Sequence, residues 1–139
     1  PERLYILGPG TTMRAVADKL GIEKTLLGVD LVRDGARLTG DAGEQDILRS
    51  LEGAGSIIVT PIGGQGHFFG RGNQQISAEV IARVGIENIT VAATMEKIAS
   101  LRDSLLHVDT GERMLDNELL GWRKVITGFQ TESICRVAT

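Results

Sequence analysis

The feature that most constrains this chain is a glycine-rich stretch at residues 61–77, which follows an apolar run at residues 57–59. The stretch combines five glycines with polar side chains such as Gln65, Arg71 and Asn73. Glycine loses more conformational freedom on folding than any other residue, so a loop that keeps so many must bring its backbone close to something. The stretch therefore predicts the floor of a ligand site.

Length and composition are those of a single folded domain. The chain has 139 residues, 42% of them apolar and 24% charged, which are ordinary values for a globular protein. A net charge of −3 gives no electrostatic reason to expect nucleic acid or an anionic membrane as a partner. The single cysteine, Cys135, excludes an internal disulfide, and we expect a cytoplasmic protein.

Short apolar runs alternate with segments of helical periodicity over residues 1–111. This alternation predicts an α/β domain of three layers, with a mostly parallel sheet built from Rossmann-like βαβ units. The predicted N-cap residues of the helices are Thr11 or Thr12, Asp41, Ser77 and Thr94. The predicted strands are residues 4–7, 25–29, 56–60, 88–92 and 105–108, with a hairpin turn at Asp34 and Gly35 within residues 31–40.

The end of the chain has a different character. We predict an α/β ligand-binding domain at residues 1–111 and a β-rich tail at residues 112–139, which packs on the same domain or on a missing N-terminal domain. The tail opens with a short helix or turn up to residue 120. Two β-rich runs then form a terminal hairpin through residues 128–130, or they pair with the missing part.

The segments after the predicted strands are richer in glycine and polar residues than the segments before them. Since the carboxyl ends of parallel strands meet at one edge of a sheet, and open α/β sheets bind ligands there, we expect these segments to form one site. Residues 8–12 also open a helix, where free N–H groups suit a phosphate or carboxylate; a tight turn with a threonine cap is the alternative. Their spacing is neither a Walker A loop nor a dinucleotide fingerprint.

Other side chains are candidates with ordinary alternatives. Arg71 can grip an anion or form a surface salt bridge, and Lys97 can contact a phosphate or lie exposed on a helix. Phe68 and Phe69 can cover a ligand, fill the core or form a subunit interface. The predicted ligand- or phosphate-binding residues are Gly8, Gly10, Thr11, Thr12, Asp30, Gly63, Gly64, Gln65, Gly66, Arg71, Gly72, Asn73, Gln74, Lys97 and Asp109.

No metal ligands and no catalytic residues are assigned. His67 and His107 lie 40 residues apart and lack the spacing of a metal site. His67 is the better site candidate of the two, because it lies inside the glycine-rich stretch, whereas His107 falls in a predicted strand. Asp30, Asp41 and Asp109, each near a predicted strand end, can hold a cation or act as a base, or can simply be solvated.

Five segments together resemble the C-terminal region of the ATP–NAD kinase-like family, and most closely its acetoin-catabolism protein X branch. They are residues 7–12, 26–30, 60–66, 70–77 and 108–111. The resemblance implies a nucleotide-binding transferase, namely a kinase that transfers phosphate from ATP. It also implies NAD as a possible acceptor, and ATP and Mg as possible cofactors that bind with a missing domain. The family's Gly-Gly-Asp-Gly motif is absent from these residues, so we expect the chain, which starts at Pro1 without Met, to be the C-terminal part of a longer protein.

The Gly-x-Gly-Thr-Thr loop is also similar to that of sugar-phosphate isomerases and the related CoA-transferase fold. Three hypotheses follow for the chain. It is the acceptor-binding domain of an ATP-dependent kinase, a self-contained module for a sugar phosphate or CoA-type ligand, or a non-catalytic dimerisation domain. In each case we expect a small-molecule ligand or a homo-oligomer rather than nucleic acid or membrane as the partner.

Overall fold

The secondary structure of the protein was obtained from a computed structural model, which describes residues 3–128 and 130–139. Within these residues the strands are β1 Leu4–Leu7, β2 Asp30–Arg33, β3 Ala36–Thr39, β4 Gly55–Val59, β5 His67–Phe69, β6 Ile89–Ala92, β7 Leu105–Val108, β8 Gly121–Gly128 and β9 Thr131–Ala138. The α-helices are α1 Thr11–Lys19, α2 Glu44–Ser50, α3 Ala78–Val84, α4 Met95–Ser100 and α5 Arg113–Leu119.

All nine of these strands belong to one sheet, in the order β3-β2-β1-β4-β6-β8-β9-β7-β5. Five of the eight neighbouring pairs are parallel, and the other three are β1–β2, β2–β3 and β8–β9. The predicted mixed α/β class and mostly parallel sheet are confirmed. Two of the antiparallel pairs, β2–β3 and β8–β9, are hairpins joined by short turns, whereas β1 and β2 are joined through α1.

The helices cover the two faces of the sheet unequally. Helices α2 to α5 contribute buried side chains to one large core, which also takes Leu4 and Ile6 of β1, Ile57 of β4 and Val125 of β8. Helix α1 packs on the other face, where Met13 and Ala17 join a small cluster around Leu7. Alternate residues of β1 thus face opposite cores, as the two-residue period of a strand requires.

Most predicted elements are present within a residue or two of their expected positions. Ser77 and Thr94 cap α3 and α4 through their side chains, and Asp34 and Gly35 form the hairpin turn with positive φ values of 54° and 77°. The prediction of a cap at Asp41 was wrong. Helix α2 begins after Gly43, whose N–H donates to the Asp46 carboxylate at 3.0 Å.

The predicted strand at residues 25–29 was also wrong, since residues 26–28 form bends and β2 begins only at Asp30. Leu27 is 81% exposed, and of the apolar run that suggested a buried strand only Val29 is buried in the core. Strand β5, inside the glycine-rich stretch, was not predicted. Phe68 and Phe69 of β5 are fully buried in the large core, which excludes a surface role for this pair.

The direction of the strands changes in the middle of the sheet. Strands β1, β4, β6 and β8 run the same way, but β9 is antiparallel to β8, and β7 and β5 are parallel to β9. The expectation that the predicted strands end at one edge was therefore wrong for β7, and the unpredicted β5 runs the same way as β7. The predicted terminal hairpin exists as β8 and β9 and lies between β6 and β7. Phe129, which was predicted to join the two strands, lies outside the described residues, as do residues 1 and 2.

Candidate functional site

A cleft of about 510 Å³ lies where β1, β4 and β6 end. It is bounded by the start of α1, by the first residues of the glycine-rich stretch and by the start of α4. Its lining residues are Gly10, Thr11, Thr12, Thr60, Pro61, Ile62, Thr94, Glu96 and Lys97. Three segments that are far apart in sequence thus meet at one sheet edge, where α/β sheets characteristically bind ligands.

The start of α1 forms one wall of the cleft. Gly10 is the N-cap residue with φ 118°, and no side chain caps this end of the helix. The first intrahelical bond of α1 comes from Arg14 N–H to the Gly10 carbonyl at 3.0 Å. The N–H groups of the first turn therefore have no intrahelical acceptor and carry the positive end of the helix dipole. The predicted cap at Thr11 or Thr12 was wrong, and both threonines instead line the cleft.

Gly10 holds the loop in place for two reasons. Its N–H donates to the carbonyl of Leu26 at 2.8 Å, which ties the start of α1 to the bends before β2. A Cβ at this position would lie 3.1 Å from Cγ2 of Thr60, a cleft residue, in a backbone conformation that side chains disfavour. Glycine therefore lets the loop after β1 approach the loop after β4 closely.

Lys97 supplies the cation on the opposite wall. It lies in the first turn of α4, which Thr94 caps by accepting the Lys97 N–H at Oγ1 over 3.0 Å. Its ammonium group donates to the carbonyl of Gly63 at 2.8 Å, so the side chain bridges α4 and the glycine-rich stretch. Glu96, beside it, is the carboxylate that lines this cleft.

The first part of the glycine-rich stretch is a tight turn beside the cleft. Ile62 and His67 pair antiparallel through two backbone hydrogen bonds of 2.7 and 3.2 Å. Gly63, Gly64 and Gln65 are exposed in this turn, while Gly66 is buried. Nδ1 of His107 donates to the Gln65 carbonyl at 2.6 Å, which fixes the turn against β7.

The second part of the stretch follows β5 and does not line the cleft. Arg71, Gly72 and Gln74 are exposed, and Asn73 is fully buried. The Asn73 amide donates to the Phe68 carbonyl at 2.9 Å, and its Oδ1 has no hydrogen-bond partner among the described residues. The residues predicted to form one ligand site therefore lie in two separate places, the cleft and the segment after β5.

Asp109 belongs with this second group, because β7 and β5 run the same way. An ideal Cβ on Gly70 would lie 2.0 Å from the Asp109 carbonyl oxygen, so the two backbones touch. Asp109 also lines a pocket of about 330 Å³ with Arg113 and Asp116. The lining of the main cleft does not include it.

Asp30 is buried within the fold. Its carboxylate accepts N–H bonds from Thr25 at 2.8 Å and from Asp41 at 3.0 Å, and it also accepts the Thr25 hydroxyl. Nζ of Lys24 lies 3.8 Å away, and both side chains are fully buried. Burial lowers the pKa of Lys24 below its ordinary value, although the nearby Asp30 charge acts to raise it. The remaining predicted glycine, Gly8, is buried and donates to the Ile58 carbonyl at 2.9 Å.

His67 and His107 lie in register on β5 and β7, and their rings stack with centroids 5.4 Å apart. Burial lowers the pKa of His67 below its ordinary 6.5, and the charges of Arg71 and His107 add to this effect. Within residues 3–128 and 130–139, no group of three or more His, Cys, Asp or Glu side chains is placed to hold a metal ion.

Sequence reasoning missed part of the cleft. It placed Thr94 in a segment at the ligand-binding edge and as a helix cap, but did not name it as a binding residue, and it assigned Glu96 to the exposed side of the helix. It also missed an apolar groove of about 560 Å³ that adjoins the cleft and shares Thr12 and Thr94 with it. The groove lies between α1 and the end of β8, which a sequence does not place side by side.

The fold and its cleft define a mixed α/β domain whose loops converge at the ends of three parallel strands. A family model describing the ATP-NAD kinase C-terminal domain matches residues 1–137, and the chain belongs to that family. Searches of curated proteins and of solved structures gave no match. In the part of the chain that the structure describes, no helix is both long and apolar enough to cross a membrane.

Proposed function

We propose that this domain binds the phosphate portion of a nucleotide in the cleft between α1 and α4, and so positions the acceptor of an ATP-dependent NAD kinase-like reaction. The observation that carries the proposal is the convergence of the uncapped start of α1 with Lys97 on opposite walls of one cleft. Backbone N–H groups at a helix start and a lysine ammonium are both donors that favour phosphate. Membership of the kinase family supports a ligand related to ATP or NAD.

The cleft has the parts for holding an anion and few for transferring a phosphoryl group. The hydroxyls of Thr11 and Thr12 add donors beside the N–H groups, and Glu96 is its one carboxylate. Mg²⁺ commonly binds through one or two carboxylates together with substrate phosphates, so the ion would enter with the nucleotide. We infer that the phosphoryl-transfer machinery, including a Gly-Gly-Asp-Gly motif, is supplied by another part of the protein.

The adjoining apolar groove gives the ligand a second contact. Ala15, Val16 and Ile126 line it, and it meets the cleft at Thr12 and Thr94. A nucleotide whose phosphate lies at α1 would place a ring or another apolar group there. A CoA-type ligand, which also joins phosphate to a long apolar arm, is the second candidate that this groove favours.

Titration calorimetry with ATP, NAD, CoA and a sugar phosphate tests the proposal on this chain. Binding of ATP or NAD supports it, whereas binding of CoA alone favours the second candidate, and no response to any of the four contradicts both. In the Lys97→Ala variant we expect Kd to rise roughly 10-fold or more, since a hydrogen bond to a charged group contributes about 1.5–3 kcal/mol.

A matched variant separates the loss of a specific contact from a general change of charge. Arg83→Ala removes an exposed cation on α3 that pairs with Glu79 and lies outside the cleft. Its Kd should stay within about twofold of wild type, since screening by salt weakens exposed charges at a distance. Equal weakening by both variants would show that net charge, and not the cleft, governs binding.

A further inference from the structure

The face of β8 and β9 that points away from the large core is not covered by a helix. Val125, Cys135 and Val137 point into that core, and α2 to α5 pack on the same side. Helix α1 is on the opposite side but packs over Leu7 and Ile58, on β1 and β4. Apart from the end of β8, where Ile126 lines the groove beside α1, these two strands in the middle of the sheet keep one face open, whereas parallel sheets normally have both faces covered.

This open face carries large apolar side chains. Trp122 is 74% exposed, Ile134 62% and Ile126 45%. They alternate along the strands with three charged residues, Lys124, Glu132 and Arg136, all exposed. The three apolar side chains lie diagonally across the two strands and are interspersed with charges, a mixture that suits a protein contact surface. We call these six residues the open sheet face.

The charges are arranged unequally from one end of the open sheet face to the other. The register of the hairpin pairs Trp122 with Arg136 at one end, Lys124 with Ile134 in the middle, and Ile126 with Glu132 at the other end. One end therefore joins an apolar side chain to a positive charge, and the far end joins an apolar side chain to a negative charge. Such a surface is complementary to itself when it is turned end to end.

We propose that the open sheet face is the contact surface for a second copy of this chain, related by a two-fold axis that crosses the strands. Such a dimer places Arg136 over Glu132 of the partner subunit and Trp122 over Ile126 of the partner subunit, twice each. The interface is isologous, since the same patch serves both copies. Ile134 meets its own counterpart near the axis.

Lys124 also lies near that axis, and its stem can cover apolar surface while its ammonium group reaches the solvent at the rim. The available area fits a modest interface. The two strands β8 and β9, spaced about 4.8 Å apart and eight residues long, present a plane of roughly 250 Å² before the area of the side chains is added. A standard interface buries about 800 Å² per partner.

The proposal predicts a concentration-dependent dimer of this chain. Sedimentation equilibrium should give a mass rising from 14.9 kDa towards twice that value. Trp122 is the only tryptophan, so its emission reports this face directly. Emission should shift to longer wavelength as the dimer is diluted into monomers and the indole becomes exposed to water. A chain that stays monomeric at every concentration tested would overturn the proposal.

A charge exchange tests the arrangement itself. Arg136→Glu and Glu132→Arg should each weaken the dimer at least 10-fold, because like charges then face each other across the axis. The double variant, Arg136→Glu with Glu132→Arg, should return to within about threefold of wild type. The two residues lie four positions apart on one strand, about 13 Å, so rescue within a single chain is not expected.

The matched control is Arg102→Glu, which makes the same charge change at an exposed residue between α4 and β7. It should leave the dimer unchanged, and circular dichroism should show that all variants are folded. Failure of the double variant to restore dimerisation would overturn the proposal, as would a dimer that none of the reversals weakens. Neither the cleft at α1 nor the adjoining groove includes these charges, and Ile126, which the groove and the dimer share, is unchanged in every variant, so nucleotide binding by the separated monomers is tested independently.

Discussion

Replacing Asp30 by asparagine is expected to lower the melting temperature of the protein by about 10–14 °C. The fully buried Asp30 carboxylate holds together the segment at residues 25–29 and the turn before α2. In asparagine one oxygen becomes an NH₂ group. If that group replaces Oδ2, it faces the Thr25 N–H, which donates to Oδ2 in the wild type. The opposite orientation puts the same conflict at the Asp41 N–H.

The magnitude follows from the buried ion pair. Removing one partner of such a pair costs about 3–5 kcal/mol, because the remaining charge stays buried without compensation. Lys24 lies 3.8 Å from Asp30 and also donates to the carbonyls of Thr25 and Gly28, so the lower part of that range, about 3–4 kcal/mol, applies. With an unfolding entropy of about 2.1 cal/mol/K per residue over 139 residues, this free energy corresponds to about 10–14 °C.

Differential scanning calorimetry and urea unfolding measure the effect, with Asp34→Asn as the control. Asp34 is an exposed acid in the β2–β3 turn, where asparagine tolerates the positive φ, so its loss should change stability by less than about 0.5 kcal/mol. A loss below about 1 kcal/mol for Asp30→Asn would refute the reasoning. It would mean that the carboxylate does not organise this region.

Two further predictions concern Gly70 and His67 of the glycine-rich stretch. Gly70→Ala should destabilise the protein by at least about 2 kcal/mol in urea unfolding, because its Cβ would collide with the Asp109 carbonyl at a φ of 95°. The control is Gly53→Ala, which should be close to neutral because Gly53 has open space around it and no positive φ. Equal losses of stability in the two variants would contradict the steric argument. Because the pKa of His67 is lowered in the folded protein, His67 is protonated at a higher pH in the unfolded chain than in the folded one. The free energy of unfolding should therefore fall as the pH drops below about 6.5. His67→Gln should flatten that loss between pH 6.5 and 5, and an unchanged slope would show that other groups cause it.

The positions of most elements were predictable because their signals are local. The apolar period of α1, the caps at Ser77 and Thr94, and the turn at Asp34 and Gly35 depend on residues within a few positions of one another. The failures have local causes too. The apolar run at residues 25–29 has the composition of a strand, but hydrogen bonds to Asp30 hold it in bends.

The candidate site was predictable only in part. Gly10, Thr11, Thr12 and Lys97 were expected to lie together, and the structure brings them to one cleft. Arg71 and Asp109 were expected there as well, but they do not line it. Their functional role, like that of the whole predicted set, stays a prediction that the binding experiments test.

By itself, the sequence determined that this is an α/β domain of the ATP-NAD kinase C-terminal family with a glycine-rich stretch after a buried strand. Only the tertiary structure decided how that stretch is divided, because strand order and direction depend on pairings between distant residues. The hairpin of β8 and β9 enters the sheet between β6 and β7 and reverses its direction. That reversal sends the end of β5 away from the cleft, and it leaves Trp122 on an open face that no local pattern reveals.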